Sequence, residues 1–396
     1  MSWPQTSLGR HIELVSGAAF KSSAFTDDSS DVPLVKGENI GQGKILWDKS
    51  KYWPRSDSEQ YERFKLRAGD VILAMDRPWV TAGLKFAVIN ERDPEALLVQ
   101  RVARLRGTER LCSRFLRYVI ASPEFSAYAK NLMGGVNVPH ISGDQIRAYQ
   151  IALPTLSEQD RIADILSAYD DLIENNRRRI QLLEQAARLL YKEWFVHLRF
   201  PGHEHVKITK GVPDGWRRAP FGTVVSIVMG NSPKGDTYND IGEGMPLVNG
   251  PVEFGEIFTE RVKWTTKPTR VCKANDLVVC VRGSTTGRNV KSDGVYCLGR
   301  GVCSISGDEQ SFIDELFKAN LPALLSVATG ATFPCWPGPA LAGYLVLWPT
   351  KNLRQLFEVN CEPMIRQIRS LYEQNQRLTK ARDLLLPRLM NGTIPV

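Results

Sequence analysis

The sequence contains no hydrophobic run long enough to cross a bilayer. Its longest uncharged apolar stretch, Ala340–Trp348, is much shorter than the roughly 20 residues that a spanning helix needs. The first residues, Met1–Gln5, lack the basic segment and apolar core of a secretion signal. No low-complexity tract is present, and 43% of the residues are hydrophobic. We therefore expect a cytoplasmic globular protein rather than a membrane, secreted, disordered or fibrous one.

Metal-binding cysteine pairs are also missing. The seven cysteines include no Cys-x-x-Cys pair, and six of them lie after residue 270 without the spacing of a metal site. We predict free, mostly buried thiols in a reducing compartment. The sequence His203-Glu204-His205 has no further ligands near it in the chain, and we interpret it as a solvated linker. No metal is expected in this chain.

The chain is long enough, at 396 residues, for two or three domains with their own cores. Lys and Arg outnumber Asp and Glu by 51 to 43, which gives a net charge of +8. A basic balance is compatible with nucleic-acid binding without establishing it. Composition alone is equally consistent with a helper protein, an enzyme and a DNA-binding protein.

The sequence repeats itself. Pro33–Gly37 returns 213 residues later as Pro246–Gly250, and Gly135–Pro154 returns 195 residues later as Gly330–Pro349. An intermediate segment matches at a shift of 206, so the shift falls stepwise along the chain. This series predicts two similar copies, with shorter loops in the second.

The first part of each copy is rich in turn residues and short β-branched runs, which indicates a mixed, β-rich domain. The predicted strands are Val71–Leu73, Phe86–Ile89, Leu277–Val281 and Tyr344–Leu347. Short helical segments are predicted around 113–131 and 311–327.

The second part of each copy predicts a long helix. Ser157 to Phe195 contains no Pro or Gly, and its apolar residues recur at alternating steps of four and three, as in a heptad seam. In the second copy we expect the helix to begin after Pro363 and to kink near Pro387. The predicted seam residues are Ile162, Leu166, Tyr169, Ile173, Asn176, Ile180, Leu183, Leu190, Met364, Ile368, Leu371, Asn375, Leu378 and Leu385.

Two such helices in one chain are expected to pack together, and a two-fold relation between similar repeats makes them antiparallel. The resulting rod would be roughly 58 Å long, which corresponds to ~17 base pairs of DNA. Asn176 and Asn375 interrupt the seam, either to fix its register or because a wet position tolerates them. The predicted fold class is α+β: two β-rich domains separated by two long helices packed as an antiparallel coiled coil, with a pseudo-two-fold internal repeat.

Particular segments resemble a known family. Leu153–Ile162, Leu189–Phe195 and Arg199–Glu204 resemble the central conserved region of type I restriction-modification specificity (S) subunits. Asn375–Gly392 resembles the C-terminal conserved region of the same family. Together with the repeat, the resemblance covers essentially the whole chain.

This resemblance implies a non-catalytic DNA-specificity subunit from a bacterium or archaeon. Two target-recognition domains would each read one half of a bipartite double-stranded DNA target. The helices would set the gap between the halves and dock two methyltransferase (M) subunits. S-adenosylmethionine is then expected in the M subunits, and ATP and Mg in the restriction (R) subunits of the full complex. The implied segments are target-recognition domain 1 (1–153), a central helical spacer (154–200), target-recognition domain 2 (201–348) and a C-terminal helical spacer (349–396).

The alternative hypothesis is a single-chain DNA methyltransferase or endonuclease with fused recognition domains. Asp76-Arg77-Pro78-Trp79 is a near match to the Asp/Asn-Pro-Pro-aromatic motif of amino-methyltransferases, but Arg77 replaces the first proline. Gly283–Arg288 resembles a phosphate loop without its Gly-Lys-Ser/Thr ending. We therefore expect no catalytic residue in this chain. A scaffold that does not read DNA is a third possibility.

The first helix is polarised in charge, with acidic residues from Glu158 to Glu174 preceding Arg177-Arg178-Arg179. This arrangement suits the helix dipole, and it would equally provide an acidic docking face for an M subunit.

Candidate DNA contacts are basic and polar residues in the predicted loops of each β-rich domain. Lys36 and Asn249, and likewise Asn137 and Thr332, occupy equivalent repeat positions, where two readers are expected to differ. The candidates are Lys36, Asn39, Lys44, Arg77, Arg101, Asn137, His140, Lys234, Asn249, Arg282, Thr285, Thr286, Arg288, Arg300 and Thr332.

Overall fold

The computed structural model describes residues 3–80, 83–132, 140–326, 328 and 334–396. The chain divides into two compact units: unit 1 comprises Met1–Asn176 and Glu373–Val396, and unit 2 comprises Arg177–Tyr372. This division passes through the middle of each long helix. It neither reproduces nor excludes the four predicted segments, whose boundaries stay a prediction.

Unit 1 combines short strands with helices. Its strands are β1 Gln5–Ser7, β2 Ile12–Ser16, β3 Val32–Val35, β4 Gln42–Gly43, β5 Tyr52–Trp53, β6 Val71–Ala74, β7 Trp79–Val80, β8 Gly83–Leu84, β9 Phe86–Val88, β10 Leu97–Leu98, β11 Val102–Gly107 and β12 Gln150–Ala152. Its helices are α1 Ser113–Ala121, α2 Pro123–Leu132, α3 Gly143–Ala148 and the first part of α4 Leu156–Tyr191.

The central strand β6 is buried on both faces. Val71 and Leu73 face the core that contains α1, whereas Ile72 and Ala74 face a second core on the other side of the sheet. Because successive strand side chains point to opposite faces, a short continuous apolar run is typical of such a strand. The sheet has the order β2-β11-β6-β9-β4, and a smaller sheet has the order β10-β3-β5.

Unit 2 is built from similar elements. Its strands are β13 Ile208–Thr209, β14 Val212–Pro213, β15 Arg217–Pro220, β16 Ser226–Met229, β17 Tyr238–Asn239, β18 Met245–Val248, β19 Lys263–Thr265, β20 Val271–Cys272, β21 Leu277–Cys280, β22 Asn289–Lys291, β23 Tyr296–Leu298, β24 Val302–Ser306 and β25 Leu345–Trp348. Its helices are the last part of α4, α5 Gln310–Ser326, α6 Gly338–Gly343 and the first part of α7 Lys351–Met390.

The central strand of unit 2 follows the same logic as β6. Leu277 and Val279 of β21 face the core that contains α5, whereas Val278 and Cys280 face the opposite core. The sheet order β16-β24-β21-β22 parallels β2-β11-β6-β9 of unit 1. In both units a parallel strand pair accompanies this sheet, β3 with β10 and β18 with β23. The two units therefore share a strand order.

In unit 1, the first part of α4 pairs with the last part of α7. Asp170 accepts a hydrogen bond from Arg382 Nη1 at 2.7 Å, and Asn176 Nδ2 donates to Asn375 Oδ1 at 3.0 Å. The partner number falls as the α4 number rises, so the two segments run antiparallel. Asp170 also accepts hydrogen bonds from Arg117 and Tyr118 of α1. Part of the acidic stretch of α4 is thus paired within unit 1.

In unit 2, the contact between the two helices is apolar. Ile180 of α4 packs with Ile368 and Leu371 of α7. Further along, Trp194 and Phe357 form an edge-to-face aromatic contact with ring centroids 6.0 Å apart. These segments also run antiparallel. The fourteen predicted seam residues are all buried or half-buried in the structure.

The predicted limits of the second long helix were wrong. α7 begins at Lys351 and continues through Pro363 and Pro387 to Met390. An interior proline removes one backbone hydrogen bond, at a cost of about 3 kcal/mol. Phe357 and Cys361, both fully buried, anchor the turns that precede Pro363, and Pro363 itself is exposed. Packing on both sides of the proline therefore outweighs the lost hydrogen bond.

The other local predictions agree with the structure. The predicted strands correspond to β6, β9, β21 and β25 to within one residue. The helical segment predicted around 113–131 is two helices, because Ser122 ends α1 and its hydroxyl accepts a hydrogen bond from the Phe125 N–H at 3.1 Å. All seven cysteines are free, and five are buried. Among the described residues, no helix is both long and apolar enough for a membrane span.

Candidate nucleic-acid interface

Three segments of unit 1 meet where β6 ends. The Met75 N–H donates to the Arg101 carbonyl and the Ile141 N–H donates to the Met75 carbonyl, both at 2.9 Å. Asp76 continues this arrangement through a β-bridge to His140. Two candidates that are distant in sequence, Arg101 and His140, are thereby placed on either side of Asp76.

The Asp76 carboxylate joins these two side chains. Its Oδ2 accepts a hydrogen bond from Arg101 Nη1 at 2.7 Å, and its Oδ1 lies 2.6 Å from His140 Nδ1. Partial burial raises the pKa of Asp76, but the hydrogen bonds from His140 and Arg101 outweigh it and hold the pKa below its ordinary value. The Asp76 side chain is 25% exposed, whereas that of Arg101 is 69% exposed. The carboxylate is thus a partly buried anchor for an exposed cation.

Two arginines of this region have left-handed backbones. The φ angle is 45° at Arg77 and 65° at Arg101. A non-glycine residue in this conformation costs roughly 1–2 kcal/mol, so such residues tend to occur at functional sites. Both side chains are exposed. Both strained residues thus carry exposed guanidinium groups, and that of Arg101 contacts Asp76.

Further basic residues extend this region. Lys85 Nζ donates to the Gly37 carbonyl. Burial lowers the pKa of Lys85, and the charge of Arg77 lowers it further, whereas Glu38 opposes the shift. Lys36 forms an ion pair with Glu38 at 2.5 Å. We call the set Lys36, Arg77, Lys85, Arg101 and His140 the unit 1 basic surface.

Sequence reasoning missed Asp76 and Lys85 as members of this surface. Asp76 stood out only as part of a near match to a methyltransferase motif. Its partners are 25 and 64 residues away in sequence, so no local spacing pointed to them.

The prediction that Asn39 contacts DNA was wrong. Its side chain is 1% exposed, accepts a hydrogen bond from the Lys36 N–H at 2.7 Å and donates to the Leu34 carbonyl at 3.0 Å. Asn39 therefore stabilises the loop that carries Lys36. Lys44 is exposed in a turn in which the Gly41 N–H donates to its carbonyl at 2.9 Å.

Unit 2 has a comparable loop region. Asn249 and Arg300 are exposed, and the Arg300 N–H donates to Ser232 Oγ at 3.2 Å. A Cβ on Gly299 would lie 2.1 Å from Asn249 Oδ1, and one on Gly301 would lie 2.3 Å from the Asn249 carbonyl oxygen. The two glycines therefore allow Asn249 to lie directly against the turn that carries Arg300.

The Gly283–Arg288 segment forms a turn in unit 2. Thr286 Oγ1 donates to the Gly283 carbonyl at 2.8 Å and the Pro334 carbonyl at 2.7 Å, so its hydroxyl stabilises the turn. The exposed Arg288 directs Nη2 to the Phe254 carbonyl at 3.2 Å.

The structure also describes the remaining candidate DNA contacts of unit 2. Arg282 is exposed and forms a β-bridge to Cys335, Thr285 is half-buried and Lys234 is exposed. Asn137 and Thr332 lie outside the described residues.

Comparison with known proteins shows which family the chain resembles. The pattern described as the type I restriction modification DNA specificity domain matches residues 3–185. A protein of Methanocaldococcus jannaschii, provisionally named the MjaX type I restriction enzyme specificity subunit, is 26% identical over 93% of this chain and 88% of its own. The MjaVIII specificity subunit from the same organism is 31% identical over 47% of this chain and 44% of its own. Over most of its length, the chain is therefore similar to type I restriction enzyme specificity subunits.

A solved structure has a similar fold. The S subunit of a type I restriction-modification system from M. genitalium aligns over 98% of this chain and 96% of its own, with a TM-score of 0.57 and 15% identity. Within the part of the chain that the structure describes, no three His, Cys, Asp or Glu side chains group together as a metal site.

Proposed function

We propose that this specificity subunit directs a type I restriction-modification complex to a bipartite DNA target. Unit 1 reads one half of the target through the unit 1 basic surface, and unit 2 reads the other half through the loops that carry Asn249, Arg282 and Arg300. Methylation is carried out by two bound M subunits with S-adenosylmethionine, and cleavage by R subunits with ATP and Mg.

One observation carries this proposal. The two units share a strand order, yet the second residue after the central strand is Asp76 in one and Arg282 in the other. A constant framework with different side chains at one position is what two readers of different half-sites require.

We further propose that α4 and α7 set the gap between the half-sites and dock the M subunits. The two helices contain 36 and 40 residues. At 1.5 Å per residue, 36 residues extend about 54 Å. Half-site spacing on DNA follows from the geometry of the protein that reads it.

The direct test is to co-express the chain with its M subunit and to map methylated adenines across a host genome. We expect a split motif with two defined halves and an unspecified gap. A continuous palindromic motif, or methylation by this chain alone, would contradict the proposal. Exchange of residues 1–150 for the equivalent domain of another family member should replace one half-site only, whereas a scaffold that does not read DNA would leave the motif unchanged.

Insertion of one heptad into 157–195 tests the role of the helices. We expect the gap to change, or methylation to disappear, while any motif that remains keeps both half-sites. A changed half-site with an unchanged gap would refute the role of the helices in spacing.

A further inference from the structure

We infer that Asp76 is a positioning residue that holds Arg101 to read one guanine in the half-site of unit 1. This inference rests on the proposed function and assigns a base-specific role to a residue pair within it.

The geometry of the guanidinium is suited to this role. Arg101 donates to Asp76 through Nη1, which leaves Nε and Nη2 without a hydrogen-bond partner among the described residues. These two nitrogens form one edge of the planar group, and such an edge matches the O6 and N7 acceptors of guanine in the major groove. The side chain is 69% exposed, so the free edge is accessible.

The backbone holds Arg101 in place as well. Its carbonyl accepts a hydrogen bond from the Met75 N–H at 2.9 Å, which ties it to the end of β6. Its φ of 65° is one that glycine adopts without strain. In unit 2, the Val281 N–H makes the same hydrogen bond to the Gly301 carbonyl, although Gly301 is not among the glycines with a positive φ. At the φ of Arg101, glycine would be less strained than the arginine that unit 1 has there.

The charges around Asp76 make a carboxylate acceptable next to DNA. Its two oxygens face Arg101 and His140, and Arg77 is the next residue in the chain. The carboxylate restricts the rotamers of a long side chain, and this restriction reduces the entropy lost when Arg101 binds a base.

The decisive variant is Arg101→Gly, studied in the complex with M subunits by genome-wide mapping of methylated adenines. We expect the preference for guanine at one position of the unit 1 half-site to fall about 5- to 150-fold, as for the loss of a bidentate base contact. The other half-site and the gap should stay the same. Since glycine suits this backbone, the melting temperature of the variant should stay within about 2 °C of the wild type.

Lys210→Gly is the matched control, because Lys210 is an exposed cation with a φ of 51° in the β13–β14 hairpin. It should leave the motif unchanged. Asp76→Asn should weaken the preference at the same base position as Arg101→Gly, but by a smaller factor. Asp93→Asn alters a half-buried carboxylate that accepts a hydrogen bond from Trp47 Nε1, and it should leave the base preference unchanged.

The outcomes separate the two proposals. A bipartite wild-type motif that Arg101→Gly leaves unchanged overturns the assignment of Arg101 and leaves the proposed function standing. A change at a different position in Asp76→Asn overturns the positioning role of Asp76. A wild-type motif without two halves overturns the proposed function, and the assignment with it.

Discussion

Unit 1 and unit 2 carry residues of opposite charge two positions after equivalent strands. Asp76 follows β6 in this way and is bridged to His140, whereas Arg282 follows β21 and is bridged to Cys335. The two bridges are both antiparallel, and each begins two residues after the central strand of its sheet. The side chains at these positions differ, and so does the backbone beside them, because Arg101 has a φ of 65° whereas Gly301 is not among the glycines with a positive φ.

The backbone hydrogen bonds beneath these residues are alike. The Met75 N–H donates to Arg101 in unit 1 and the Val281 N–H donates to Gly301 in unit 2, both at 2.9 Å. The backbone groups that set the position of the loop are thus separate from the side chains that face solvent. A fold organised in this way can change what it contacts without changing its core.

The largest expected effect is a loss of stability when a buried phenylalanine is removed from the core of one unit. Phe312 of α5 and Phe115 of α1 are both fully buried. Phe312→Ala should lower the free energy of unfolding of unit 2 by about 3–5 kcal/mol, because it leaves a cavity among Phe195, Trp348 and Phe357. Hydrogen exchange should accelerate in β21 and β24. Phe115→Ala should instead accelerate exchange in β6 and β11, and equal acceleration in both units would contradict the separation of the cores.

The next largest effect concerns the contact between α4 and α7, which differs between the two units. In unit 1, Asp170 of α4 binds Arg382, Arg117 and Tyr118, whereas the corresponding contact in unit 2 is apolar. Asp170→Asn should lower the free energy of unfolding by about 2 kcal/mol, because it leaves the half-buried Arg117 without its counter-charge and Arg382 with Asp383 alone. Urea denaturation measures this change. Asp171→Asn alters the exposed neighbour and should stay within about 0.5 kcal/mol of the wild type; equal effects would refute the role of the network.

A smaller effect concerns the close approach at Gly299 in unit 2. A Cβ there would overlap the side chain of Asn249, so Gly299→Ala should destabilise the protein by about 1–2 kcal/mol. Thermal denaturation measures the change. Gly235→Ala is the control, because no atom lies within 4 Å of a Cβ at that position. A destabilisation by Gly235→Ala of equal size would show that the close approach is not the cause.

The smallest effect is a pH dependence confined to unit 1. The pKa of Asp76 is lower in the folded protein than its ordinary value, so the stability it contributes is present above that ordinary value and is lost as pH falls through the lower folded value. The wild type should therefore lose more stability below pH 4 than Asp76→Asn does. Urea denaturation between pH 6 and pH 3 measures the difference. If the free energies of unfolding of the two proteins fell in parallel with pH, the ionised Asp76 carboxylate would not contribute to stability.

The sequence predicted the features that depend on local periodicity. The buried face of α4 and α7 was predictable, because its apolar residues recur every three or four positions and therefore share one face of the helix. The buried strands β6 and β21 were predictable for a similar reason, as short apolar runs between turns.

The features that depend on distant contacts were missed. Asp76 meets Arg101 and His140 only after β6, β11 and the segment before α3 come together. Asn39 was misassigned because a polar loop residue has the same sequence signal whether it faces solvent or hydrogen-bonds to its own loop. The course of α7 through Pro363 was missed because tertiary packing outweighs helix propensity there.

Unit 1 is formed by two segments that are far apart in the sequence, and this has a consequence for synthesis and truncation. Leu386 and Leu389 belong to the same core as Leu8 and Val71. On the ribosome, the residues of unit 2 are therefore all translated before the last part of unit 1 emerges, although unit 1 begins first. A nonsense mutation after residue 372 would leave unit 2 with all of its residues and expose the core of unit 1 to proteolysis. A truncation after residue 372 would thus destabilise unit 1, whose first residues are translated before those of unit 2.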